Sequence, residues 1–99
     1  MNVGKMMKDL QKMQTKMQEE IETVEVEASS GGGMVTARMN GKKQLLSLKL
    51  QPEAITPDDP ELMEDLLLAA VNEVGRKVDD ELQHITQGMT GGLKIPGLM

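Results

Sequence analysis

Residues 24–50 read VEVEASSGGGMVTARMNGKKQLLSLKL, and this stretch decides the fold. Val24, Val26 and Ala28 alternate with Glu25, Glu27 and Ser29, the period of two that sets apolar side chains on one face of a strand. Gly31-Gly32-Gly33 then supplies a turn free to take positive φ. Val35, Ala37 and Met39 alternate with Thr36 and Arg38, and Asn40-Gly41 is a strong hairpin signal that favours a type I′ turn. Leu46, Leu48 and Leu50 alternate with Ser47 and Lys49 to complete a third strand. Residues 23–51 thus predict a three-stranded antiparallel meander, apolar on one face. Arg38 and Lys49 are expected to pair with Glu25 and Glu27 on the other face, at tenths of a kcal/mol each.

Upstream, Val3, Met6, Leu10, Met13, Met17, Ile21 and Val24 recur in alternating steps of three and four. That is a coiled-coil-like seam, and it predicts a helix over residues 2–22. Lys5, Lys8, Lys12 and Lys16 form a second stripe, its mean direction roughly 135° from the seam at 100° per residue. A helix of this length, about 30 Å at 1.5 Å per residue, is too long for the rest of the chain to cover, so part of it should project. Met in place of Leu along the seam points to an adaptable contact.

Downstream, beyond Pro52 and Pro57, Asp59 reads as an N-cap and Pro60 as the first residue of a second helix over 60–86. Glu61, Glu64 and Asp65 suit the positive end of its dipole. Its apolar stripe runs from Leu62 through Leu66, Ala70, Val74, Val78 and Leu82 to Ile85, broad enough to lie on the sheet. Gly75 in mid-helix costs about 1 kcal/mol against Ala, which points to a close packing contact there. Arg76 and Lys77 precede Asp79, Asp80 and Glu81 and are expected to pair within the helix. The fold class is α+β in the order α-β-β-β-α. Residues 1–86 are expected to form one dimerising domain and residues 87–99 a flexible Gly-rich tail.

Composition narrows the chemistry. The 99 residues contain no Cys, which excludes disulfides, thiolate nucleophiles and cysteine metal sites. They contain no Phe, Trp or Tyr, so no base can stack on an aromatic platform, the usual means of holding single strands. His84 is the single histidine, and Ser29, Ser30 and Ser47 have no base to activate them. The acids Asp58, Asp59, Glu61, Glu64 and Asp65 lack calcium-loop spacing, and the triple glycine joins strands instead of opening a helix onto a phosphate. Neither an enzyme nor a cofactor, metal or small-molecule site is expected. No apolar run reaches membrane-spanning length and no signal-peptide pattern opens the chain, which makes the cytoplasm the default compartment.

The net charge of −5 hides segregation. Residues 1–18 hold four lysines against Asp9, whereas residues 19–27 hold five glutamates and no cation. Residues 28–49 add four cations, including Lys42 and Lys43 on the Asn40-Gly41 hairpin, while residues 50–81 hold ten acids against Arg76 and Lys77. With screening beyond about 8 Å, a partner feels these local fields more than the total. An all-aliphatic core in so short a chain also buries little area, so an obligate homodimer is expected to add burial across an interface.

The ordered set Lys5-Met6-Met7-Lys8, Gly31-Gly32-Gly33-Met34-Val35, Asn40-Gly41, Leu46-Ser47-Leu48-Lys49-Leu50, Glu64 through Glu73, Met89-Thr90-Gly91-Gly92-Leu93 and Pro96-Gly97-Leu98 resembles the YbaB/EbfC family of bacterial nucleoid-associated proteins. The resemblance implies a tweezer-like homodimer with a shared body and projecting first helices, binding double-stranded DNA at the nucleoid. By position, Lys5, Lys8, Lys12 and Lys16 match the basic first helix of that family and are expected to contact phosphates, with Lys42 and Lys43 as further candidates. Bending or compaction of the duplex, and an effect on gene expression, would follow. The alternative reading is a Met-rich protein-interaction module that takes a partner helix along its seam without touching DNA.

Overall fold

The computed structural model describes residues 2–90, in the expected order of elements. Helix α1 spans Val3–Glu22, strands β1, β2 and β3 span Glu25–Ser30, Val35–Asn40 and Leu45–Leu50, a 3₁₀ turn covers Pro52–Ala54, and helix α2 spans Pro60–Thr90. Asn2 caps α1, its side-chain oxygen accepting the Lys5 N–H at 3.2 Å. Asp59 caps α2 by accepting the Leu62 N–H at 3.2 Å, with Pro60 at the first helical position, where its missing N–H costs nothing. Helix α2 continues four residues past the expected end at 86, since Gln87 and Gly88 do not break it. Of the expected Gly-rich tail, residues 91–99 lie outside the described residues.

The strands form one antiparallel sheet in the order β1-β2-β3. Val26 faces Met39 and Ala28 faces Ala37 across β1 and β2, while Ala37 and Val35 face Leu48 and Leu50 of β3. Helix α2 packs over β1 and β2, and Ala28, Val35, Ala37, Met39, Ala54, Ala70, Val74 and Val78 form the buried cluster between them. Four of these eight are alanine, so helix and sheet approach closely without any ring to fill a gap. The outer face of the sheet carries the Arg38–Glu25 ion pair expected there. Lys49 lies opposite Thr36 and makes no ion pair among the described residues.

Three local features depart from the sequence reading. The Asn40-Gly41 hairpin is not a type I′ turn, because the left-handed residue is Lys43 (φ 64) and Gly41 is not. The Lys43 N–H closes a turn on the Asn40 carbonyl at 3.0 Å, and the Asn40 side chain accepts the N–H groups of Lys42 and Gln44. This is the longer loop in which a residue in the left-handed region ends the turn. Gly41 is needed for another reason: a Cβ there would stand 2.3 Å from the Ile21 carbonyl oxygen, where the end of α1 rests on the hairpin. Positive φ belongs instead to Gly31, Gly32 and Gly33.

The second departure is a register shift in β3 between the partners of Arg38 and Met39, which sets Leu45, and not Leu46, opposite Met39. The third is Lys77. Its ammonium donates to the Glu27 carbonyl at 2.9 Å and ties α2 to β1 instead of pairing within the helix. Arg76 does pair within the helix, with Asp80 as expected and with Glu73, one turn earlier, which the sequence reading did not name.

These contacts separate two glycines. Gly41→Ala must push Ile21 away and is expected to cost about 2 kcal/mol, as overpacking does. Gly32→Ala, left-handed but in open space, is expected to cost about 1 kcal/mol. Urea unfolding at one fixed protein concentration measures both, and equal losses would contradict the seating of α1 on the hairpin.

Candidate nucleic-acid interface

Helix α1 is seated at one end only. Met13, Met17 and Ile21 are half-buried where the helix meets α2 and the sheet, whereas Val3, Met6, Met7 and Leu10 are more than half exposed and no residue of the helix is fully buried. The first ten or so residues therefore stand clear of the body. The molecule measures 70 × 26 × 16 Å, and its radius of gyration of 19.3 Å far exceeds the roughly 13 Å of a compact domain of this length.

Lys5, Lys8, Lys12 and Lys16 are all exposed along this arm, and none forms an ion pair among the described residues. At 1.5 Å per residue the stripe covers about 16 Å of helix axis. Gln11 and Thr15 share its surface with Lys8, Lys12 and Lys16, adding an amide and a hydroxyl that can bond a phosphate oxygen. The sequence reading passed over both; their place between lysines on one helical face is the signal that finds them.

The cations of the body are differently employed. Lys43 turns inward from the hairpin, its ammonium 2.9 and 3.0 Å from the Asp79 carboxylate oxygens and 3.3 Å from the Gly75 carbonyl. A Cβ at Gly75 would stand 3.6 Å from the Lys43 ammonium, an ordinary van der Waals distance, so the close packing contact expected at this mid-helix position is not found among the described residues. Arg38 holds Glu25, Arg76 holds Glu73 and Asp80, and Lys77 holds the Glu27 carbonyl. Lys42 is exposed at the hairpin tip, beside the base of the arm, and forms no ion pair among the described residues. The structure thus sets the four arm lysines on one stripe, keeps Lys42 apart from them, and engages Lys43 in packing.

The fold is an open sheet covered by one helix, with a second helix that carries four exposed lysines. The chain belongs to the YbaB/EbfC DNA-binding family, whose model matches residues 1–93. It is 45% identical over 101 residues to a nucleoid-associated protein of Clostridium novyi (strain NT), covering 99% of this chain and 89% of that one. A nucleoid-associated protein of Pelotomaculum thermopropionicum is 45% identical over 100 residues, covering 98% and 95% of the two chains. The fold matches the crystal structure of an uncharacterized protein from Helicobacter pylori with a TM-score of 0.76 at 24% identity, over 92% of this chain and 99% of that one. No helix among the described residues is long and apolar enough to cross a membrane.

The Arg76 cluster is separable from the arm. The hydrogen bond from Arg76 holds the Glu73 carboxyl below its ordinary value of 4.5, and the same bond raises Arg76. A carboxyl lowered on folding contributes stability above its unfolded pKa and loses it as pH falls through the folded value. The melting-temperature difference between the wild type and Glu73→Gln should therefore be present at neutral pH and close as the pH falls through and below the ordinary value of 4.5. Thermal melts across that range test it, and a difference independent of pH would contradict the assignment.

Proposed function

We propose that the protein acts as a homodimer that binds double-stranded DNA through phosphate contacts made by Lys5, Lys8, Lys12 and Lys16 on each projecting arm. The observation that carries this reading is the division of labour among cations: among the described residues the four arm lysines are exposed, without ion pairs and on one helical face, while Arg38, Lys43, Arg76 and Lys77 are engaged within the body and Lys42 and Lys49 are the two body cations that are not. A helix about 10 Å across fits a major groove about 12 Å wide, and lysines act there as mobile point charges. A chain without Phe, Trp or Tyr offers no stacking platform for unpaired bases, which favours duplex. Lys42 lies at the base of the arm, beyond the end of the stripe, and Lys43 holds Asp79 and the Gly75 carbonyl, so neither is among the proposed contacts.

The second protomer is supported by what α2 leaves uncovered. Leu45, Leu46 and Leu48 of β3 are 42, 47 and 40% exposed, and Ile55, Leu62 and Leu68 add to the apolar surface outside the core. A second copy laid against β3 and the outer side of α2 would bury such side chains, and exposed apolar surface of this kind marks an interface. Two arms then present eight ammoniums to one duplex. Held at two points, the duplex bends or compacts, with gene expression affected in consequence. The names of the relatives support a place at the nucleoid in the bacterial cytoplasm.

The exposed Val3, Met6 and Leu10 support a second reading, in which the seam takes a partner helix and DNA is not involved. The two readings part at the lysines. Reversing Lys5, Lys8, Lys12 and Lys16 to Glu is expected to abolish duplex binding, whereas Lys43→Ala costs less than about 1 kcal/mol of stability and leaves affinity unchanged. Wild-type affinity should fall with salt at a slope of no more than about −7, from roughly −0.9 per neutralised phosphate. Fluorescence anisotropy at two salt concentrations measures this, and binding that survives the fourfold reversal would reject the phosphate reading. Leu48→Glu, on the open edge of the sheet, is expected to yield monomers in sedimentation velocity; an unchanged dimer would place the interface elsewhere.

A further inference from the structure

The lysine stripe does not stop at Lys16. Its steps of three, four and four are followed by a step of three to Glu19, which lines the same surface as Lys8, Lys12 and Lys16. Glu22 follows three residues later and adjoins Glu19 on the neighbouring surface. Both are exposed, and neither forms an ion pair among the described residues, not even Glu19 with Lys16 one turn away. Asp9 is a single carboxylate among the lysines of this face, whereas Glu19 and Glu22 follow the last of them with no further cation on α1.

Helix stability does not account for this. The last turn of α1 is the negative end of its dipole, where cations stabilise and carboxylates cost a few tenths of a kcal/mol each. No basic residue lies in that turn. The acids stand against the local electrostatics of the helix and at the point where the arm enters the body.

We propose that Glu19, backed by Glu22, is an electrostatic stop that sets the inner limit of the duplex on the arm. The proposal rests on the DNA reading of the arm. Phosphates drawn along four ammoniums meet a carboxylate at the fifth position, so the duplex stays on the first sixteen residues or so of the chain and away from Lys42 and the body. Glu19 is in this sense a positioning residue. It contributes no attraction and fixes where the attraction ends.

The test uses full-length protein and a linear duplex, with Glu19→Gln, Glu19→Lys and the Lys12→Glu/Lys16→Glu double reversal. Removing one like charge roughly 7 Å from a phosphate is expected to tighten binding by about two- to threefold per arm at low salt. Glu19→Lys is expected to steepen the salt slope by about 0.9 per arm. Mass-spectrometric acetylation gives a readout that a merely structural role does not move. Duplex should protect Lys5, Lys8, Lys12 and Lys16 in the wild type and extend protection to Lys42 in Glu19→Lys. Unchanged affinity, slope and protection in both Glu19 variants, beside a double reversal that weakens binding, would overturn the stop and leave the DNA reading standing. A double reversal that binds like the wild type would remove both.

Discussion

A single helix has to cover a three-stranded sheet, and the rest of the structure depends on that shortage. Three strands spaced about 4.8 Å apart are wider than one helix can blanket, even with the small side chains of Ala28, Ala37, Ala54 and Ala70 drawing α2 close. Helix α2 lies on β1 and β2 and leaves the leucines of β3 half in water. The other helix cannot make up the deficit. It is anchored at its C-terminal end, where Ile21 meets Gly41, and leads away from the sheet. An apolar edge and a free arm are thus two results of one packing problem, and the proposed second copy of the chain would answer the first of them while pairing the arms.

Charge is distributed by the same logic. Cations that hold elements together sit within reach of acids or carbonyls on α2 and the sheet, as Lys43 does with Asp79 and Lys77 with the Glu27 carbonyl. Cations on the arm form no ion pair among the described residues and have Asp9, Gln11 and Thr15 as polar neighbours until Glu19 ends the stripe. A protein with a net charge of −5 can therefore attract a polyanion locally, because Asp9 is the one acid among the four arm lysines and the other acids lie on α2, the strands, the loops and the base of the arm. Binding of the proposed kind would be weak per contact and steep in salt.

Much of this is legible in the chain. Alternation locates the three strands, Asp59-Pro60 opens α2, and the lysine spacing defines the stripe, because each of these depends on neighbours in sequence. What is not legible depends on elements far apart. Asn40-Gly41 carries the signature of one turn and adopts another, since the decisive neighbour of Gly41 is Ile21. Lys43 reads as a hairpin cation until α2 brings Asp79 and the Gly75 carbonyl to it. The slip that replaces Leu46 with Leu45 opposite Met39 leaves no mark on a pattern with leucine at both positions.

The proposed function requires the uncovered length of α1 to be the surface that meets DNA. A titration of isotopically labelled protein with a short duplex, followed by amide chemical shifts, tests it residue by residue. The account requires perturbations concentrated between Asn2 and Lys16, fading at Glu19 and absent from α2 and the outer face of the sheet. Perturbations centred on β3 and α2, with the first sixteen residues unmoved, would contradict it.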